Sequence, residues 1–420
     1  MIETDPTPPP LRARTVEIDD PGPLTDLLPS EGGLAWIRRG EGMVAWGEAA
    51  RHKPTSIADA EEWWSALSAS TVVETELGDP PAGAGLIAFG SFVFDPDSAG
   101  RSTLVVPQTV VGRRKGRAWV TRMGSPTGPD PVLAPTDPPR APDGVEYFEG
   151  ALSTDDWQAA VREAVRRINA GELDKVVLAR DLLARARSEL DPRWLVQRLA
   201  DRYAGCWTYL VDGLVGATPE MLVRREGGLV TSRVLAGTIR RRGSEEADLS
   251  LAGALARSGK DLEEHEYAVA SVARSLAPYC SGMHVPEAPY VLELPNVLHL
   301  ATDVTAAARP GTTALGLAAA LHPSAAVCGT PRQAAQSLIA ELEHLDRERY
   351  AGPVGWVDAH GDGEWGIALR CGQLDETDPR QIRLYAGCGI VAGSDPAAEL
   401  AESVAKLLPM REALGAPWTP

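Results

Sequence analysis

The run LYAGCGIVAGSDPAAELAESVAK, residues 384–406, constrains this chain more than any other stretch. An apolar strand at 384–386 leads into Gly387, Cys388 and Gly389, read as a small-residue turn, and a helix opens at Ser394, Asp395 and Pro396. A Ser or Asp N-cap followed by proline is a helix-start signal. On that helix Glu399, Glu402 and Lys406 stand at i, i+3 and i+7 and share one face, while Leu400, Val404 and Leu407 form another that buries. On an isolated helix, two acids and a lysine are ordinarily a solvated surface. Here the glycines feed straight into the helix, and exposed backbone N–H groups there suit an anionic ligand.

A second acidic helix answers the first. In SGKDLEEHEYAVASVARSLAP, Asp261 and Glu264 again share a face, and Val269, Val272 and Leu276 form a buried stripe. Two helices, each offering a carboxylate pair, could bracket a hard cation. Mg²⁺ prefers oxygen ligands, keeps several waters and takes one or two carboxylates directly. The competing reading is surface acids in an acidic protein of formal charge −17. That charge argues against nucleic acid and anionic membranes as partners, and an anionic substrate must find local cations. Lys175 heads the apolar strand KVVLAR, and Glu220 follows a proline in GATPEML. LAGT (235–238) and VCGTPR (327–332) read as small-residue turns where backbone can approach a ligand. Arg370 ends a strand and Tyr350 ends a helix. The histidines show no paired zinc spacing. GxGxxxG at 387–393 is one residue off the dinucleotide fingerprint and stands in an antiparallel context, which excludes a nicotinamide site.

The 420 residues, 44% of them hydrophobic, suffice for a large core. No apolar run approaches ~20 residues and the N-terminus has no signal pattern. Five scattered cysteines without CxxC imply reduced, buried thiols and a cytoplasmic setting. Residues 34–37 and 43–46 read as a hairpin, 57–67 as a helix, and 86–94, 104–111 and 117–122 as strands. The proline-dense stretch 124–143 reads as a linker or surface crossing. A helix capped at Ser153 or Thr154 follows, then a strand at 175–183, a helix at 194–202, a strand at 207–211 and a hairpin at 222–233. A helix runs from Pro331 to about 345, and an antiparallel meander covers 353–386. This mixture predicts an α+β fold rather than a doubly wound parallel sheet.

Taken together these segments resemble the chorismate-utilising enzymes, and among them the isochorismate synthases. The likeness rests on DKVVLAR (174–180), GATPEML (216–222), LAGT, DLEEHEYAV (261–269), LHL (298–300), LHPSAAVCGTPR (321–332), RYAGPVGW (349–356), GDGEWGIALR (361–370) and the opening run. They span most of 153–410 in the family's order, and FGSFVFDPDS (89–98) is similar to the family's less regular N-terminal part. The resemblance implies the large chorismate-binding-enzyme fold, an antiparallel β-sandwich-like core with helices outside and the site in a cleft. Residues 1–150 would be a strand-rich subdomain packed on that core and ending in the linker, and 151–415 the catalytic region, together one large domain.

By the same resemblance, water attacks ring carbon 2 of chorismate while the carbon 4 hydroxyl departs. Lys175 is the base, which requires it neutral, and Glu220 the acid, which requires it protonated. Mg²⁺ binds the ring carboxylate, held directly by Glu264 and Glu402 and through waters by Asp261 and Glu399. Asp261 is shorter than the glutamate of some relatives. Arg370 and Tyr350 hold the enolpyruvyl carboxylate with the amides near Gly387 and Gly389; Lys406 lies beside the metal. Gly237, Thr238 and His299 line the site. Aminating relatives carry glutamine at the position of Lys175, so no glutaminase subunit is expected, and the protein is expected to be a monomer. Alternatives are a salicylate synthase, which goes on to eliminate pyruvate, an aminating enzyme, and a catalytically inactive chorismate-binding protein.

Overall fold

In the computed structural model, residues 11–124 and 133–415 are described. The chain is an α+β structure in which helices surround two large, almost wholly antiparallel sheets. Eight α-helices lie among the described residues: α1 (Ile57–Ser70), α2 (Thr154–Asn169), α3 (Pro192–Arg202), α4 (Glu245–Leu255), α5 (Gly259–Leu276), α6 (Ala314–Leu321), α7 (Arg332–Leu342) and α8 (Pro396–Ala413). None is long and apolar enough to cross a membrane. Local chemistry sets their starts. Ser153, Ser258 and Asp395 each accept a backbone N–H three residues on, and Pro396 occupies the first turn of α8.

The larger sheet runs from the strand Glu146–Glu149 through Lys175–Arg185, Gln381–Ile390 and Cys371–Leu374 to Leu214–Thr218 and Trp207–Val211. It continues into the N-terminal strands, beginning with the hairpin Leu34–Arg38 and Glu41–Trp46. The second sheet joins Val297–Ala308, Leu229–Arg240, Met221–Glu226, Gly363–Ile367 and Pro353–Asp358 to Ile87–Ser91 and Thr103–Val106. Both sheets therefore mix early and late segments of the chain. Period-2 alternation distributes the core. Leu34 and Trp36 enter the apolar cluster shared by the two sheets, while Ala35 and Ile37 enter a second cluster under α3 and α8. All five cysteines are free and buried.

Several sequence expectations change. The stretch 104–111 is two strands in different sheets, Thr103–Val106 and Thr109–Arg114. Pro107, lacking an N–H, ends the first ladder, and the chain crosses over there. Gly387 and Gly389 do not turn. They continue Gln381–Ile390, opposite Ala179 and Val177, and the turn falls at 391–395. LAGT is likewise inside the strand Leu229–Arg240, where a bulge between Ala236 and Thr238 places Gly237 at φ +77°. The helix after Pro331 stops at Leu342, so Tyr350 stands in a turn. α4, α6 and the strands Cys280–His284, Tyr290–Glu293 and Val297–Ala308 were not anticipated.

Candidate active site

A cavity of about 220 Å³ opens where α5, packed on Leu229–Arg240, approaches α8, packed on Gln381–Ile390. The two acidic helices thus reach the cavity from different sheets. Its wall includes Lys175, Glu220, Gly237, Thr238, Asp261, His299, Tyr350, Arg370, Gly387, Gly389, Glu399, Glu402 and Lys406. These are thirteen of the fourteen residues singled out by sequence. The fourteenth, Glu264, is on α5 one turn from Asp261, and its side chain lies outside what is described.

Each position has a local cause. Lys175 begins its strand, paired with Thr330 of the two-residue strand Gly329–Thr330. A Cβ on Gly329 would lie 2.2 Å from the Lys175 carbonyl, so the close approach requires glycine. Glu220 follows Pro219 in the two-residue link between Leu214–Thr218 and Met221–Glu226, with its N–H held by Thr218 Oγ1 at 3.2 Å. The bulge at Gly237 brings backbone to within contact of Asp261, whose Cβ a side chain there would meet at 3.2 Å. Arg370 sits between strands at φ +51°. The ring of Tyr350 stacks on Tyr385 with centroids 5.1 Å apart.

Electrostatics divide the cavity. Burial pushes the Glu220 carboxyl up to about 7, against the pull of Arg370, Lys175 and Lys406. Burial also works on Glu402, yet Lys406 Nζ at 2.6 Å outweighs it and holds that carboxyl below its usual range. Lys406 in turn donates to the Gly387 carbonyl at 2.8 Å, and its pKa is raised because Glu402 overcomes desolvation. Desolvation, then Arg370 and Lys406, push His299 well below the usual imidazole range, so it is neutral. Its Nδ1 is 2.9 Å from Thr238 Oγ1, while its buried Nε2 has no partner among the described residues. Arg370 is 8% exposed, and no carboxylate among the described residues is ion-paired with it. The side chains of Cys388, Glu399 and Glu402 bring potential ligand atoms within 4.8 Å of one another.

Arg347 was missed. It lines the cavity and donates to Val177 O at 2.7 Å, Val327 O at 2.9 Å and the Glu343 carboxylate, whose Oε1 also takes the Ala179 N–H at 2.6 Å. This buried pair fastens the Lys175 strand to the wall at 326–327. Its only sequence signal is a cation two residues before RYAGPVGW.

A cleft between antiparallel sheets, with facing carboxylate helices and an arginine that no carboxylate among the described residues pairs, suits a small anion. Residues 135–415 match the family described as chorismate binding enzyme, and the chain belongs to that family. It is 39% identical over 273 residues to the isochorismate synthase DhbC of Bacillus subtilis, covering 62% of this chain and 68% of that protein. It is 33% identical over 417 residues to the salicylate biosynthesis isochorismate synthase of Pseudomonas aeruginosa, covering 91% and 85%. The fold is that of the menaquinone-specific isochorismate synthase MenF from Escherichia coli, with a TM-score of 0.79 at 24% identity over 97% of this chain and 95% of that one.

Proposed function

We propose that this chain is an isochorismate synthase, an isomerase that moves the hydroxyl of chorismate from carbon 4 to carbon 2 with Mg²⁺ as cofactor. The observation that carries the reading is the pairing in one cavity of Lys175 with a carboxylic acid, Glu220, that retains its proton near neutrality. Lys175 takes a proton from the attacking water at carbon 2. Glu220 gives its proton to the hydroxyl leaving carbon 4, which departs as water while the ring double bonds shift. Water enters and water leaves, so the step balances without an oxidant or a second substrate. Arg370 and Tyr350 hold the enolpyruvyl carboxylate, and neutral His299, fixed by Thr238, presents its remaining nitrogen to the ring.

The donor set suits a hard cation. Glu402, Glu399 and Asp261 converge from two helices, and Lys406 already shows that positive charge is favoured there. Glu402 and Glu264 would hold Mg²⁺ directly, with Asp261 and Glu399 acting through waters. Bound there, the ion would supply the positive charge that anchors the ring carboxylate.

The names of the relatives support hydroxyl transfer over amination, as does Lys175, whose side chain fills the approach to carbon 2. Purified protein incubated with chorismate and Mg²⁺ is expected to reach a mixture of chorismate and isochorismate from either side, with little pyruvate and, in ammonium, no aminated product. Activity is expected to vanish in EDTA and return with Mg²⁺. Stoichiometric pyruvate and salicylate would move the assignment to a salicylate synthase, and full turnover in chelator would remove the metal from it.

A further inference from the structure

Behind Glu220 lies a second, far smaller cavity of about 10 Å³. Glu220 and Ala326 line both it and the large cavity, so Glu220 stands between them. Most of the small wall is apolar, with Leu222, Val272 and Ile367 among its residues. Two of its four polar side chains are engaged elsewhere. Ser232 donates to Leu222 O at 2.6 Å, and Arg233 is paired with Asp303 at 2.7 Å. Two groups are not. The Ser324 hydroxyl is buried with no hydrogen-bond partner among the described residues. Among the described residues no hydrogen bond to the Glu220 carboxyl is seen, while its backbone N–H and C=O are bonded. A buried hydroxyl is seldom left in this way, and a cavity of ~10–15 Å³ with two to four polar partners holds one water.

We propose that Ser324 is a positioning residue for the acid. Its hydroxyl holds a single buried water that hydrogen-bonds the Glu220 carboxyl from behind. The inference rests on the reading of Glu220 as the proton donor. In the neutral acid the water accepts from Ser324 and donates to the carbonyl oxygen of Glu220, which leaves the other oxygen to carry the proton into the large cavity. When the bond from carbon 4 to oxygen breaks, that proton passes to the departing hydroxyl and forms water. The carboxylate left behind keeps the hydrogen bond from the rear water, which strengthens as charge develops. Ser324 therefore makes Glu220 a better acid without touching substrate. The flanking Ala325 and Ala326 keep that wall slim enough for the carboxyl to face both cavities.

The test compares Ser324→Ala and Ser324→Thr with wild type. Ser324→Ala is expected to lower kcat about tenfold, the scale of a hydrogen bond to a charged group. It should move the alkaline limb of the kcat profile to higher pH and leave KM for chorismate within about twofold. Ser324→Thr, which keeps the hydroxyl, should restore most of both. A readout independent of turnover is the ¹³C NMR titration of the Glu220 carboxyl, expected to rise in Ser324→Ala, and a high-resolution crystal structure should show one water between the two groups. A Ser324→Ala enzyme with wild-type kcat and pH profile overturns the proposal and leaves Glu220 as the acid. Loss of activity with an unchanged carboxyl titration also overturns it, since the effect is then packing. Full turnover by Glu220→Gln would instead remove the acid assignment, a failure that the titration separates from any failure of the link between Ser324 and Glu220.

Discussion

Glu220 and Glu402 face the same cavity, feel the same three cations and hold their protons differently. Burial raises both carboxyls, and Arg370, Lys175 and Lys406 lower both. Glu220, 6% exposed, ends at about 7. Glu402, with 31% of its side chain exposed, ends below its usual range because Lys406 is in direct contact at 2.6 Å. One touching ammonium therefore decides the outcome where several more distant cations do not. A single pocket can in this way hold a carboxyl raised towards neutrality at one end and an ionised carboxylate at the other.

The largest effects should come from removing the proton-transfer groups. Glu220→Gln and Lys175→Ala are each expected to lower kcat by ~10² to 10⁴-fold, and the double variant by less than the product, since both serve one transfer. Near-normal turnover by either, measured in steady state, would place the acid or the base elsewhere. The same Glu220→Gln change should stabilise the fold at alkaline pH. The folded carboxyl titrates at about 7 against 4.5 in the unfolded chain, so the folded state binds more protons between those values. Stability is then lost as pH rises from 4.5 to about 7, by ~3 kcal/mol in all, and the Gln variant escapes that loss. Thermal melts of the two proteins should diverge as pH rises from 4.5 to about 7, keep a constant gap above that and converge in acid; parallel melts would mean that Glu220 is not the raised group. In activity, the sign is that kcat falls as pH rises through about 7, because the acid loses its proton.

At the other end, Lys406→Met should make Glu402 behave more like Glu220. Its carboxyl should rise, and the protein should lose ~1–3 kcal/mol in urea melts near neutral pH, because a largely buried acid loses its partner. An unchanged midpoint would break the contrast drawn between the two glutamates. The smallest effect should come from Gly237→Ala. A Cβ at φ +77°, 3.2 Å from the Asp261 Cβ, is expected to cost ~1–2 kcal/mol. It should weaken Mg²⁺-dependent chorismate binding while leaving the alkaline limb of Glu220 in place. Movement of that limb in this variant would show that the two ends are not independent.

Helical spacing made the acidic faces legible. Asp261 with Glu264, and Glu399 with Glu402 and Lys406, follow from a period of 3.6 once the caps at Ser258 and Asp395 fix where each helix starts. That Asp261, Glu399, Glu402 and Lys406 line one cavity does not follow from spacing, because it depends on which strands the two helices cover. The motifs supplied that link through resemblance. The glycine positions misled for a physical reason. Small residues near a ligand suit either a turn or a strand whose neighbour comes unusually close, and Gly387, with Tyr350 Oη 3.1 Å from where its Cβ would be, is of the second kind. The crossing at Pro107 was hidden because apolar residues flank it on both sides, and hydrophobic pattern alone cannot say that a strand changes sheets. Arg347 carried no pattern of its own, since its value lies in carbonyls from residues 177 and 327 that only the fold brings near.

The interleaving of early and late strands has a consequence for how the protein is made. Trp36 Nε1 donates to Glu364 at 2.7 Å across 328 residues of chain, and Ile87–Ser91, paired early on one edge with Thr103–Val106, finds the partner for its other edge in Pro353–Asp358. On the ribosome, at ~5–20 residues per second, the first hundred residues wait tens of seconds or less for the strands that complete their sheets. During that interval the hairpin at 34–46 and the strand at 87–91 present open edges to the cell. Such a protein closes late and from its C-terminal side, and chaperone demand during synthesis should track the translation time of residues 91 to 353 more closely than the stability of the finished fold.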